Sequence, residues 1–174
     1  MNVQGLENPM LRIHVSKVVL NIGVGKSGEP IERAKQVLKQ ITGREPIETK
    51  AKQSIRDFGT HEGEPIGVKV TLMGDEAIQL LKRLLIVKGL KLPASCFDEE
   101  GNFSFGIKEH IEIQGAKYDP EVGIFGLDVS VRLERPGYRV ARRARCPSKV
   151  GKKHKVRKEN TIEFVKKNFN VEVV

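Results

Sequence analysis

The chain has 174 residues, 39% hydrophobic and 30% charged, with two cysteines. That length and balance fit one folded domain with a core of its own, and no apolar run reaches the roughly 18 residues of a membrane span. The net charge of +9 is carried in one place: residues 1–131 hold 17 Lys/Arg against 18 Asp/Glu, residues 132–158 hold 12 against 1, and residues 159–174 hold 2 against 3.

Met1 to Arg12 lacks periodicity and reads as a loose arm or short turn. A first strand is predicted over Ile13 to Val24, with Val18, Leu20, Ile22 and Val24 on one face and Lys17, Val19, Asn21 and Gly23 on the other. Gly28 and Pro30 lead into a helix over Ile31 to Thr42, striped by Ile31, Ala34, Val37, Leu38 and Ile41 and stopped by Gly43. A short strand, Ile47 to Lys52, and a polar loop, Gln53 to Pro65, precede a second two-faced strand, Ile66 to Met73. Asp75 is the expected N-cap of a helix over Glu76 to Lys88, with Ile78, Leu81, Leu84 and Leu85 on its inner face.

Residues 89–102 are irregular. A third strand is expected over Phe103 to Ile113, with His110 on its polar face, and a fourth over Phe125 to Leu133. Then come the basic segment, with a short helix or arm at Arg139 to Arg145 and a stretch from Lys149 to Lys158 too polar to order alone, and a final helix, Glu159 to Asn168, held by Ile162, Val165 and Phe169.

Gly23, Gly25 and Gly28 fit the glycine pattern of a dinucleotide-binding turn, and Glu48 lies at the spacing of a ribose-binding acid, so a nucleotide-dependent enzyme is an alternative to weigh. Gly25-Lys26-Ser27 also imitates the end of a phosphate-binding loop, but the first glycine of that motif falls on Leu20. A doubly wound sheet needs helices between neighbouring parallel strands, whereas the segment between 47–52 and 66–73, and that between 103–113 and 125–133, has no helical period. The expected fold is therefore α+β: a mostly antiparallel sheet with helices packed on one face, the opposite face exposed, then a basic arm and a terminal helix. The chain divides as one domain over 1–174, with a core at 12–133, an arm at 134–158 and a helix at 159–170.

His14, His61, His110 and His154 are scattered, and Cys96 and Cys146 have no partner at metal-ligand spacing. No catalytic residues, metal or cofactor are read from the sequence, and the thiols are expected to be reduced. No N-terminal signal pattern appears, so an intracellular location is expected.

The bare sheet face would carry Lys17, Asn21, Lys69, Thr71, Lys108, His110 and Arg132. Lys, Asn and Thr at such spacing bond phosphates and 2′-hydroxyls, and the one-signed segment attracts polyanions by counterion release. RNA is the expected partner. A general nucleic-acid binder acting only through 132–158 is the simpler competitor.

Five stretches carry a resemblance: Lys17-Val-Val-Leu-Asn-Ile-Gly-Val-Gly25, Thr49-Lys-Ala-Lys-Gln-Ser-Ile55, Pro65-Ile-Gly-Val-Lys-Val-Thr-Leu72, Asn102-Phe-Ser-Phe-Gly-Ile-Lys-Glu109 and Tyr118-Asp119. In order from about Arg12 to Leu133 they resemble the 5S rRNA-binding protein family of the large ribosomal subunit, the fifth of its numbering. Arg135-Pro-Gly-Tyr138 through Lys153-His-Lys155 and the last helix resemble its archaeal and eukaryotic branch.

The resemblance implies a cytoplasmic, ribosome-bound protein of the central protuberance that docks 5S rRNA among large-subunit rRNA and neighbouring proteins. Family 5S contacts map to Asn21, Arg44 and Thr71. Met73 stands where bacterial members present an arginine, so that contact is lost or passes to a neighbour such as Lys69. Arg139, Arg142, Arg143 and Arg145 are the expected rRNA contacts of the arm. The loop Lys52 to Glu64 is expected to reach the peptidyl-site tRNA through Lys52, Gln53, Ser54 and Arg56, with Ile55 and Phe58 packing its base or else touching the tRNA. The loop Ile113 to Gly126 is the candidate for a bridge to a small-subunit head protein.

Overall fold

In the computed structural model, which describes residues 8–116 and 119–174, strand β1 (His14–Gly23) is the middle of a five-stranded sheet. The order is β2 (Ile47–Lys50), β3 (Pro65–Leu72), β1, β6 (Leu127–Glu134), β5 (Asn102–Ile107), and each ladder is antiparallel. Alternation decides which face is covered. Val18, Leu20 and Ile22 of β1, Val68, Val70 and Leu72 of β3, Val129, Val131 and Leu133 of β6 and Phe103, Phe105 and Ile107 of β5 are all buried. Each such side chain contributes about 1.5–3 kcal/mol by leaving water. Of the expected N-terminal arm, positions 1–7 lie outside the described residues, and Pro9–Leu11 form a 3-10 turn ahead of β1.

Helix α1 (Glu29–Thr42) lays Ile31, Ala34, Val37, Leu38 and Ile41 on that face. Helix α2 (Gly74–Val87) adds Ala77, Leu80, Leu81, Leu84 and Leu85. Two expectations shift here. Ile78 is only half-buried, and Met73 rather than Asp75 takes the cap position. Asp75 sits in the first turn, where the helix dipole favours an acid.

Three features differ from the sequence pattern for identifiable reasons. A bulge between Val15 and Lys17 lets Val15 and Val18 both point inward, which strict alternation forbids. The third strand ends at Ile107, not Ile113, because the backbone leaves the sheet for a 3-10 turn over His110–Glu112. His110 is thereby buried, and its Nδ1 accepts the Phe125 N–H at 3.2 Å. It is a core histidine, not a member of the bare face. Finally, β4 (Lys91–Leu92) and β7 (Glu172–Val173) form a parallel pair, each too short to leave a period in the sequence.

Helix α3 (Lys158–Phe169) buries Thr161 and Val165, and Val165 and Val171 belong to the same apolar cluster as the sheet and the first two helices. Ile162 and Phe169, expected to hold the helix, are only partly buried. The Thr161 hydroxyl donates to the Gly101 carbonyl at 3.0 Å. Among the described residues no helix is long and apolar enough to cross a membrane.

Candidate nucleic-acid interface

Strand register arranges the uncovered face in rows. One row runs Lys69, Asn21, Asp128, Gly106. The next runs Thr71, Val19, Ser130, Ser104, and the third runs Lys17, Arg132, Asn102. Four expected contacts, Lys17, Asn21, Lys69 and Thr71, thus come together on one surface. Lys108 lies beyond the end of β5, and Asp128 adds an acid beside Asn21 that the sequence reading did not weigh.

Packing keeps this surface flat near β2. A Cβ on Gly67 would lie 2.8 Å from the Ile22 carbonyl oxygen and 2.9 Å from Thr49 Oγ1, so only glycine fits there. Lys17 and Arg132 stand directly opposite each other in the ladder. Like charges in that position repel, and an anion above the sheet relieves the repulsion. A groove of about 330 Å³ lies over this row, lined by Lys17, Asn102, Ser104, Ser130 and Arg132.

Arg132 leads to the basic segment through Glu134. That carboxylate is 2% exposed. Its Oε2 accepts from Ser16 Oγ at 2.9 Å and from Arg142 Nη2, and Arg132 Nε approaches Oε1 at 2.7 Å without the alignment of a hydrogen bond. The two buried side-chain atoms that lack a hydrogen bond among the described residues, Glu134 Oε1 and Arg135 Nε, both lie at this joint.

Beyond it the segment is folded against the sheet edge rather than free. A 3-10 turn spans Tyr138–Ala141 where a short helix or an arm was expected. The Tyr138 hydroxyl accepts the Val156 N–H at 2.8 Å. Val156 is buried over Gly101, whose φ of 83° and position leave no room for a Cβ, which would lie 2.6 Å from Val156 Cγ1. Lys155 pairs with Glu100 at 3.2 Å. A second groove, of about 680 Å³, opens between this segment and β6, and shares Asn102 and Arg132 with the first.

The expected arm contacts divide. Arg142 is tied to Glu134, and Arg143 donates to the Cys146 carbonyl at 2.8 Å. Arg139 and Arg145 are exposed and have no ion pair among the described residues. Arg44, placed just after α1, donates through Nε and Nη2 to Glu76 at 3.0 and 2.7 Å. Its guanidinium is therefore shared with a carboxylate before any phosphate arrives. Met73 is 63% exposed and offers no donor.

The loop at 52–64 is closed by the Ala51 N–H to Glu64 carbonyl bond at 2.8 Å and by an Ile55–Thr60 bridge. Lys52, Gln53 and Arg56 are exposed, while Ser54 Oγ is engaged by the Glu62 N–H at 2.9 Å. Ile55 and Phe58 do not pack the loop base: they are 42% and 75% exposed. Of the bridge candidate, residues 113–126, positions 117 and 118 lie outside the described residues, and so does Tyr118 of the resemblance.

The glycine turn cannot cradle a phosphate. The Val24 and Gly25 amides both donate to the Ile66 carbonyl, at 3.0 and 2.8 Å. The Glu64 carboxylate takes the Ser27 hydroxyl and the His61 N–H, which hold it below the usual carboxylate range, in that order of effect. Glu29 and Glu32 occupy the first turn of α1. Glu48, the supposed ribose acid, is bound to Lys35 at 2.7 Å, which lowers its proton affinity. The dinucleotide reading is corrected on all four counts.

A bare polar sheet face that runs into a mainly cationic groove has the chemistry of a polyanion-binding surface. Among the described residues no cluster of His, Cys, Asp or Glu is able to hold a metal. Comparison with known proteins gives the family. Residues 8–60 match the model described as ribosomal protein L5, and residues 65–164 match the model of that ribosomal family's C-terminus. The chain is 52% identical over 168 residues to the large ribosomal subunit protein uL5 of Sulfurisphaera tokodaii, covering 96% of this chain and 95% of that one. It is 53% identical over 166 residues to the protein of the same name from Pyrobaculum aerophilum, covering 95% and 93%. For that of Nitrosopumilus maritimus the identity is 49% over 170 residues, 98% of each. The chain belongs to the ribosomal protein L5 (uL5) family.

Proposed function

We propose that this chain is a structural constituent of the large ribosomal subunit, cytoplasmic and ribosome-bound, that holds 5S rRNA against its uncovered sheet face and helps attach it in the central protuberance. The observation that carries this reading is the row structure of that face. Lys17 and Arg132 stand side by side over a groove, with Asn21, Lys69 and Thr71 in the adjoining rows. Phosphate contacts from such side chains fix register, and 2′-hydroxyl contacts select RNA. Arg139 and Arg145 add charge that meets large-subunit rRNA.

The exposed loop 52–64 serves the peptidyl-site tRNA in this reading: Lys52 and Arg56 meet its phosphates, and the exposed Phe58 ring is available to stack. The loop 113–126 meets a small-subunit head protein, and the remaining partners are neighbouring proteins of the protuberance.

The test is a salt titration of the full chain against 5S rRNA and an unrelated RNA of equal length. The reading expects a 5S preference that persists as salt rises, and a loss of about tenfold in 5S affinity for the Asn21→Ala, Thr71→Ala variant. Equal affinities that fall together with salt would reduce the protein to a general binder acting through 132–158.

A further inference from the structure

The second groove is not a flat cationic surface. It encloses about 680 Å³, inside the range of about 300–1,000 Å³ typical of small-ligand sites. Its walls are of two kinds. Tyr138, Ala141 and Val150 are apolar or aromatic, and the polar wall is mainly cationic, with Arg132, Arg142, Lys149, Lys152 and Lys155 against the one acid Glu100. The cations are not equivalent. Arg132 and Arg142 share the single Glu134 carboxylate, which offsets one of their two charges, and Lys155 is paired with Glu100. Lys149 and Lys152 have no ion pair or hydrogen bond among the described residues.

We propose that this groove receives a single unpaired nucleotide of RNA, its base against Tyr138, Ala141 and Val150 and its flanking phosphates on Lys149 and Lys152. A groove of about 680 Å³ is too small to take a duplex, but a splayed-out nucleotide offers both a flat apolar face and an adjacent negative charge. The groove meets the sheet-face groove at Asn102 and Arg132, so a strand lying on the sheet can place its next nucleotide there without crossing open surface. This rests on the RNA-binding reading above and adds to it a site with a defined occupant.

Gly151 gives a test that leaves charge alone. It lines the groove, has no positive φ, and a Cβ there would meet nothing within 4 Å. Gly151→Phe adds bulk to the groove lining while keeping every cation, and Ala141→Phe does so at a second lining position. The full chain would be titrated with two hairpin RNAs of equal length, one carrying a single bulged nucleotide and one fully paired.

The expected result is a preference of roughly tenfold or more for the bulged hairpin, in line with the stacking of one base on apolar and aromatic side chains. Both filling variants should lose that preference yet bind the paired hairpin as before, with unchanged circular dichroism. A 4-thiouridine at the bulge should photo-cross-link within 138–152. Equal affinities, or a preference that survives both variants, would overturn the inference and leave RNA binding intact. Failure to bind either hairpin at low salt would overturn both readings. Displacement of the bulged hairpin by a poly-glutamate peptide that is itself sensitive to Gly151→Phe would assign the groove to an acidic protein instead.

Discussion

In the proposed function the sheet face and the basic segment divide the work of binding between them. The face has fixed geometry and a smaller positive charge than the segment: its positions are set by ladder register, and Lys17, Lys69 and Arg132 share it with Asp128. The segment has charge and little core of its own. It is held by Glu134 at one end, by Val156 over Gly101 and by Tyr138 between them. Shape and charge are thus supplied by different parts of the chain, and each part should fail in its own way when perturbed.

The sharpest separation comes from the segment's footing. Gly101→Val forces a branched side chain into a left-handed φ and onto Val156, and should destabilise the protein by about 3 kcal/mol. Urea denaturation measures the loss, and limited proteolysis should cut first within 136–157. An unchanged midpoint would mean that the segment is held elsewhere. Glu134→Ala should cost less, about 1–2 kcal/mol, because its partners Arg132 and Arg142 are roughly half exposed and turn to water when released. Glu134→Gln, which keeps the shape and the Ser16 contact, should fall between this variant and the parent in the same denaturation series.

Replacing Arg139, Arg143 and Arg145 together by Ala should leave stability nearly unchanged. It should flatten the plot of log affinity against log salt by about 2–3 units, equally for 5S rRNA and an unrelated RNA. A loss confined to 5S rRNA would blur the division between shape and charge.

The smallest effect lies at the Ser27–Glu64 tie between the β1 turn and the 52–64 loop. Because the folded state holds Glu64 below its usual range, the tie stabilises at neutral pH and is lost as pH falls through the lowered value. Proteolytic nicking of the loop should therefore rise only in the acid range below that of an ordinary glutamate. Glu64→Gln should remove the pH dependence.

What was legible in the sequence follows from period. Strands β1, β3 and β6 and the helix stripes were visible because one face of each is buried, and burial writes alternation or a 3.6-residue spacing into the residues. The bulge at Val15–Lys17 was invisible, since one extra residue in a strand has no chemical mark. His110 was placed on the wrong face because, past the break at Glu109, polar and apolar residues alternate again from His110 to Ile113 although the backbone has left the sheet. Of the candidate site, the placement of Lys17, Asn21, Lys69 and Thr71 on one sheet face was legible. The second groove was not, because it joins positions in two strands to a segment whose composition shows only charge. Tyr138 and Val156, the two least polar anchors in that run, were the available signal.

The segment between β6 and α3 is pinned at both ends, which makes it a closed loop rather than a tail. The conformational freedom left for a ligand to remove is that of a tethered chain, and closure entropy grows only with the logarithm of length, about 0.6 kcal/mol per doubling. Slack in its exposed stretch, residues 143–149, is therefore cheap. A few added residues there would alter neither the footing at Gly101 nor the cations at 149–152, and a loop of this kind can change length while the proposed contacts to RNA stay the same.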